Sequence, residues 1–144
     1  MPLYAFGVHR DHDSFFFYTA HRSIQALAWR EQTRRWWLHH RAAFELCTSE
    51  AVIRELEASS PPLARQRIAL VADIPRLNIL DRVEEVAEAY MKHQLMPRES
   101  LGDAVHLALA SVHGVDFVLT WNCRHLANAN KAAHLAAINR RLRL

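Results

Sequence analysis

The run LGDAVHLALASVHGVDFVLTWNCRHLAN, from Leu101 to Asn128, limits the fold of this chain more than any other segment. Its first half is apolar almost all round at helical spacing, through Ala104, Val105, Leu107, Ala108, Leu109 and Val112. A helix without a polar face is a buried helix. Its second half carries an apolar run of strand length, Asp116 to Trp121. A buried helix leading directly into a buried strand needs other strands beside it and helices over it, which is the arrangement of an α/β domain. In such sheets ligands collect at the carboxyl ends of strands and the neighbouring helix starts. Asp103 stands at such a start, and Thr120 to Asn122 at such an end.

The remaining segments supply the covering elements. An amphipathic helix is expected from about Ser23 to Arg41, with Ile24, Leu27, Ala28, Trp36 and Leu38 inward, then a short strand at Phe44 to Thr48. Ser49 is a plausible N-cap for a helix burying Val52, Ile53 and Leu56, which the Ser-Ser-Pro-Pro at 59–62 stops. A helix from Pro62 to about Ala72 precedes a strand at Leu77 to Leu80, and Asp81 caps a helix whose Val83, Val86, Ala87, Tyr90 and Met91 recur at helical spacing. After the Leu101 to His113 helix and the Asp116 to Trp121 strand, a long helix is expected from about Cys123 to Arg140. Strands alternating with helices imply a mainly parallel sheet.

A length of 144 residues with 51% hydrophobic content suits one core, and one domain spanning 1–144 is expected. The net charge of +3 is a mild basic excess, gathered in Arg22 to Arg41 and in Arg140, Arg141 and Arg143, which suits a polyanionic partner. Cys47 and Cys123 have no metal-binding spacing, so neither a zinc site nor a disulfide framework is expected, and a cytoplasmic setting fits. No window has the apolar length of a membrane span, so no membrane partner is expected.

Each candidate site residue has a plain alternative. Asp103 is an acid at the mouth of a buried helix, costly unless it caps the helix, pairs or binds a cation. Asn122 is a favoured N-cap residue where it stands. Glu55 reads alone as a solvated carboxylate. His106, one turn after Asp103, either bonds that carboxylate or packs, and His125 touches the pocket or an RNA phosphate. Trp121 reads as core or rim packing, and Trp29, Trp36 and Trp37 as core plus an interface for a partner or second copy. His9, Asp11, His12 and Asp13 read as a polar turn, with a metal cluster as the sharper alternative.

Three strings, TSEAVIREL, GDAVHLALAS and DFVLTWNCRHLANANK, resemble the PIN-domain ribonucleases, in particular the VapC-like toxins of toxin–antitoxin pairs. The resemblance runs from roughly Phe16 to Leu144. It implies a three-layer α/β/α sandwich with a mainly parallel sheet and an acidic pocket holding Mg²⁺ or Mn²⁺ for hydrolysis of RNA phosphodiester bonds. On matching positions Glu55 and Asp103 are the metal-binding acids, and Asn122, in the branch that reads LTWN, is a carbonyl ligand or a water-orienting group. Arg124, His125 and Lys131 are the implied RNA contacts. A cognate antitoxin and a second copy of the chain are the implied protein partners.

The chain departs from that pattern at its start, where the family places its first acid at the end of the first strand. Here the corresponding run is VHRDHDSF, so a disrupted first strand and an aberrant 1–15 segment are expected. Codons exist for Val8 to Ser14 that, read one nucleotide later, spell Tyr-Ile-Glu-Thr-Thr-Ile-Pro, the family's own strand. A gained or lost base near Phe15 to Phe17, with Met1 as an out-of-frame start, is the expectation that follows. Related proteins also continue past the place of Leu144 into a last strand and short helix, so an exposed sheet edge is expected there. With the first acid missing, a degenerate domain that binds RNA or antitoxin without cleaving stands beside the ribonuclease reading, and a purely structural interaction module beside both.

Overall fold

A computed structural model of the chain describes residues 2–5, 23–58, 61–122 and 124–144. Four short strands, β1 (Pro2–Ala5), β2 (Glu45–Ser49), β3 (Arg76–Leu77) and β4 (Phe117–Leu119), form a sheet in the order β3-β2-β1-β4. All three pairings are parallel, with Leu3 opposite Leu46 on one side and Phe117 on the other. The expected α/β class with a parallel sheet is therefore what forms. Pro2–Ala5 is an interior strand paired along both edges, upstream of VHRDHDSF, where the disruption of the first strand is expected. The runs Val8 to Ser14 and Phe15 to Phe17, and with them His9, Asp11, His12 and Asp13, lie outside the described residues.

Six helices accompany the sheet among the described residues: α1 (Ile24–His39), α2 (Glu50–Glu57), α3 (Pro61–Val71), α4 (Asp81–Lys92), α5 (Leu101–Val112) and α6 (Ala132–Leu142). The two serine caps form as the local sequence demands. Ser23 is extended and its Oγ accepts from the Ala26 amide at 3.1 Å, while Ser49 does the same for Val52 at 3.4 Å. Each satisfies an amide that the first helical turn leaves without a partner. Asp81 is the first residue of α4 and Leu80 its cap, without a side-chain bond, so the expected aspartate cap does not form.

α1 is turned from its expected setting. Ala26, Thr33 and Trp37 are buried, whereas Ile24 is 88% exposed and Leu38 71% exposed. The reason is aromatic: Trp36 packs at 5.8 Å on Phe44, which meets Phe117 of β4 edge-on at 6.4 Å. Satisfying large aromatic faces outweighs an aliphatic stripe, because each ring buries more area. The core itself lies under α4 and α5, where Val83, Val86, Tyr90, Ala104, Ala108 and Leu109 join Val52 and Leu56 of α2 at almost complete burial. α5 ends where Gly114 takes φ +63°, letting the Val115 amide reach back to the Ala110 carbonyl at 2.9 Å.

The strand after α3 is shorter and earlier than expected, two residues at Arg76–Leu77. The expected long helix from Cys123 also does not form. The carbonyl of Asn122 accepts from both Leu126 and Ala127, closing a turn, and Asn128 then starts a second one by accepting from Asn130. Only after a 3-10 turn at Ala129–Lys131 does α6 begin.

Candidate functional site

Sheet order alone marks one crevice. β1 has β2 on one side and β4 on the other, so the chain reverses its direction of travel across the sheet beside β1. Crevices at the carboxyl ends of strands at such a reversal are where open α/β sheets bind ligands. β4 ends at Leu119, and Thr120, Trp121 and Asn122 follow it at that end.

Asn122 is 5% exposed and saturated by local geometry. Its amide N–H donates to Thr120 Oγ1 at 3.0 Å, its Oδ1 accepts from the His125 amide at 3.0 Å, and its Nδ2 donates to Asp103 Oδ1 at 2.9 Å. The side-chain amide has only one sensible orientation here. Turned over, it would set oxygen against carboxylate and N–H against N–H. Its carbonyl is therefore committed to the turn, and what Asn122 offers is a donor that holds Asp103 in place. An aspartate at this position would accept from His125 equally well but would repel Asp103.

Asp103 is 6% exposed, in the first turn of α5. Ser100 takes the cap position, so the helix-capping alternative does not describe the aspartate. A carboxylate buried to this degree is tolerated where hydrogen bonds and nearby positive charge favour it; Asn122 supplies the donor and the start of α5 the positive end of the helix dipole.

Glu55 reaches the same helix start from α2. Its Oε1 lies 3.0 Å from Nε2 of His106, whose side chain is 1% exposed, and a Cβ added at Gly102 would come within 3.3 Å of that same oxygen. A carboxylate oxygen only accepts, so the ring nitrogen facing it carries the proton. His106 thus serves Glu55 rather than Asp103, and Gly102 leaves the room that lets Glu55 approach. The two predicted acids are brought to one end of α5. Neither the His106 contact nor the Gly102 clearance was legible, since both depend on how α2 crosses α5.

The three predicted RNA contacts separate. Arg124 is exposed, while its carbonyl accepts from Asn128 Nδ2 at 3.1 Å. His125 is 8% exposed, which makes its ring a wall of the neighbouring cleft instead of an outer contact. Lys131 is half-buried with Nζ 3.8 Å from Met96 Sδ. Burial pushes its ammonium below the usual lysine range, the Asp103 charge pulls it back up, and the Arg124 guanidinium pushes it further down.

Behind the strand end, Trp121 stacks on Trp29 with centroids 5.6 Å apart, and its indole N–H donates to Thr33 Oγ1 at 2.9 Å. The packing reading of Trp121 is the one that holds, and it clamps α1 onto the residue next to Asn122. A second cleft of about 300 Å³, between Trp37, Arg41, Phe44 and Asp73, shares no residue with this cluster.

The donor set is oxygen-based and contains two carboxylates. Mg²⁺ and Mn²⁺ suit such oxygens, Mg²⁺ keeping several waters and taking one or two carboxylates plus a substrate phosphate. Among the described residues, no group of three or more His, Cys, Asp or Glu is placed to hold a metal ion. No protein-family model, curated protein or solved structure matches the chain.

Proposed function

We propose that this protein is a metal-dependent endoribonuclease of the PIN type, similar to VapC toxins, built as an α/β/α sandwich and working on RNA at the Asp103 crevice. One observation carries the reading: a nearly buried aspartate is held by a buried asparagine at the point where the sheet reverses, with a second acid delivered to the same helix end. A divalent cation bound there would activate water and neutralise charge on the phosphate. Asp103 would hold that cation, Asn122 would keep the aspartate oriented, and Glu55, steadied by His106, would take part through the cation's waters. Lys131 and Arg124 would face the RNA backbone. A cognate antitoxin, a second copy of the chain and a cytoplasmic location complete the proposal, with the exposed Ile24, Leu27 and Leu38 of α1 as apolar surface for a protein partner.

The test is cleavage of single-stranded RNA with and without Mn²⁺, alongside the thermal shift that Mn²⁺ produces in the same protein. The expected result is Mn²⁺-dependent cleavage and an upward shift, both lost in Asp103→Ala. The second reading, a non-cleaving domain that binds RNA or antitoxin, is favoured by the lack, among the described residues, of any group of three or more His, Cys, Asp or Glu placed to hold a metal ion. RNA binding without cleavage in any divalent metal would establish it and sink the first.

A further inference from the structure

A cleft of about 270 Å³ adjoins the acidic cluster, walled by Leu95, Met96, Leu107, Leu126 and Leu135, with Lys131 at its edge. His125 lines it and is tied through its main-chain N–H to Asn122, and Lys131 lies close enough to Asp103 for that charge to act on its ammonium. We infer that this cleft is a subsite for one unpaired nucleobase of an RNA strand whose phosphate sits at Asp103. The inference rests on the ribonuclease reading for the identity of the ligand and deepens it by assigning where a base goes.

Three features select such an occupant. The walls are aliphatic and thioether groups, which suit the flat apolar face of a base, while a paired base within a duplex has no face to offer. The ammonium of Lys131 has Met96 Sδ as its hydrogen-bonding neighbour, a weak acceptor that a phosphate oxygen outcompetes. Two other polar groups line the cleft: His125, whose main-chain N–H is tied to Asn122, and Asn128, whose Oδ1 accepts from Asn130 and whose Nδ2 donates to the Arg124 carbonyl. A cleft with one unspent cation and apolar walls recognises the charge of a nucleotide and the surface of its base, with little edge-specific discrimination among bases.

The test is binding of a short single-stranded oligoribonucleotide with a non-cleavable backbone, and of the same strand with one abasic position, measured by fluorescence anisotropy without divalent metal. Ala132→Trp fills the cleft from an exposed position, and Lys131→Met removes the charge while keeping the apolar stem. Wild type should bind the intact strand roughly tenfold more tightly than the abasic one. Ala132→Trp should abolish that preference, and Lys131→Met should weaken both strands and lower the salt slope by about one. Equal binding of the two strands by wild type, no binding of either, or a preference that survives Ala132→Trp overturns the subsite. Because cleavage is not read, base-dependent binding with no cleavage by the metal-loaded protein keeps the subsite and fails the hydrolytic reading. Cleavage with equal binding of the two strands does the reverse.

Discussion

The two ends of α5 bury polar groups in opposite ways. At its carboxyl end Tyr90 of α4 donates its one hydroxyl proton to Asn139 Oδ1 of α6 at 2.7 Å and accepts from the Ser111 hydroxyl at 2.8 Å, and Asn139 Nδ2 closes the ring by donating to Ser111 Oγ at 3.2 Å. Every member is neutral and every bond is internal, so the network welds three helices together. At the amino end Asp103 and Glu55 bring charge, with His106 against Glu55, and one amide, Asn122, holds the most buried acid. A neutral closed network stabilises by itself, whereas buried charge with few partners is a cost that a ligand offsets. One helix thus carries a neutral fastening at one end and buried charge at the other.

The sharpest way to break this comparison is Asp103→Ala. Cleavage should fall at least roughly 100-fold, since a metal-holding acid supplies several kcal/mol of charge stabilisation, while the melting temperature should hold or rise as a buried charge is removed. A large loss of stability with unchanged cleavage would make the amino end a second weld. Asn122→Asp sharpens the same point. Without metal it should lose about 1.5–3 kcal/mol as the donor to Asp103 is replaced by a like charge, and Mn²⁺ should restore more of that loss than it adds to wild type, as seen in thermal denaturation.

At the other end, Tyr90→Phe should cost about 1–3 kcal/mol by leaving Asn139 Oδ1 without its donor, with the Mn²⁺ shift unaltered. Burial holds the Tyr90 phenol above its ordinary value of 10.0, against the lowering effect of its bonds to Ser111 and Asn139. Its contribution is complete below that value and is lost as pH rises past it, because the unfolded chain gives up the proton first. Chemical denaturation across that alkaline range should show a fall in stability that is smaller in Tyr90→Phe. The smallest effect belongs to Gly102→Ala, where the helix gains and the crowding of Glu55 roughly cancel to within about 1 kcal/mol. Its signature is a weaker response to Mn²⁺, since the Glu55 carboxylate has to move aside.

How much was legible in the sequence follows from how local each signal is. Ser49 caps as expected because an N-cap bond spans three residues, and α5 was plain because its apolar character leaves no exposed face. Asp103 and Asn122 stood out because each is a polar residue at the end of an apolar element. Their mutual bond, by contrast, depends on β4 lying against β1. The Cys123 helix was misjudged because Asn122 and Asn128 both start turns, and helical spacing of the apolar residues says nothing about how often a chain restarts. The setting of α1 was missed for another reason: Phe44 and Phe117 decide which tryptophan faces in, and they lie on other elements.

The position of β1 has a consequence for how the chain assembles. Its four residues are made before the other described strands, yet one of its edges stays open until Phe117–Leu119 arrives, after α1 to α5 have been made. Pairings of such long sequence separation slow the search for the native state. Until that search ends, an apolar strand edge is available to any neighbour that presents a complementary one. Slow synthesis, low temperature and dilute refolding should therefore raise the yield of soluble protein more than added metal does, because the crevice that would hold the metal exists only after the last strand has docked.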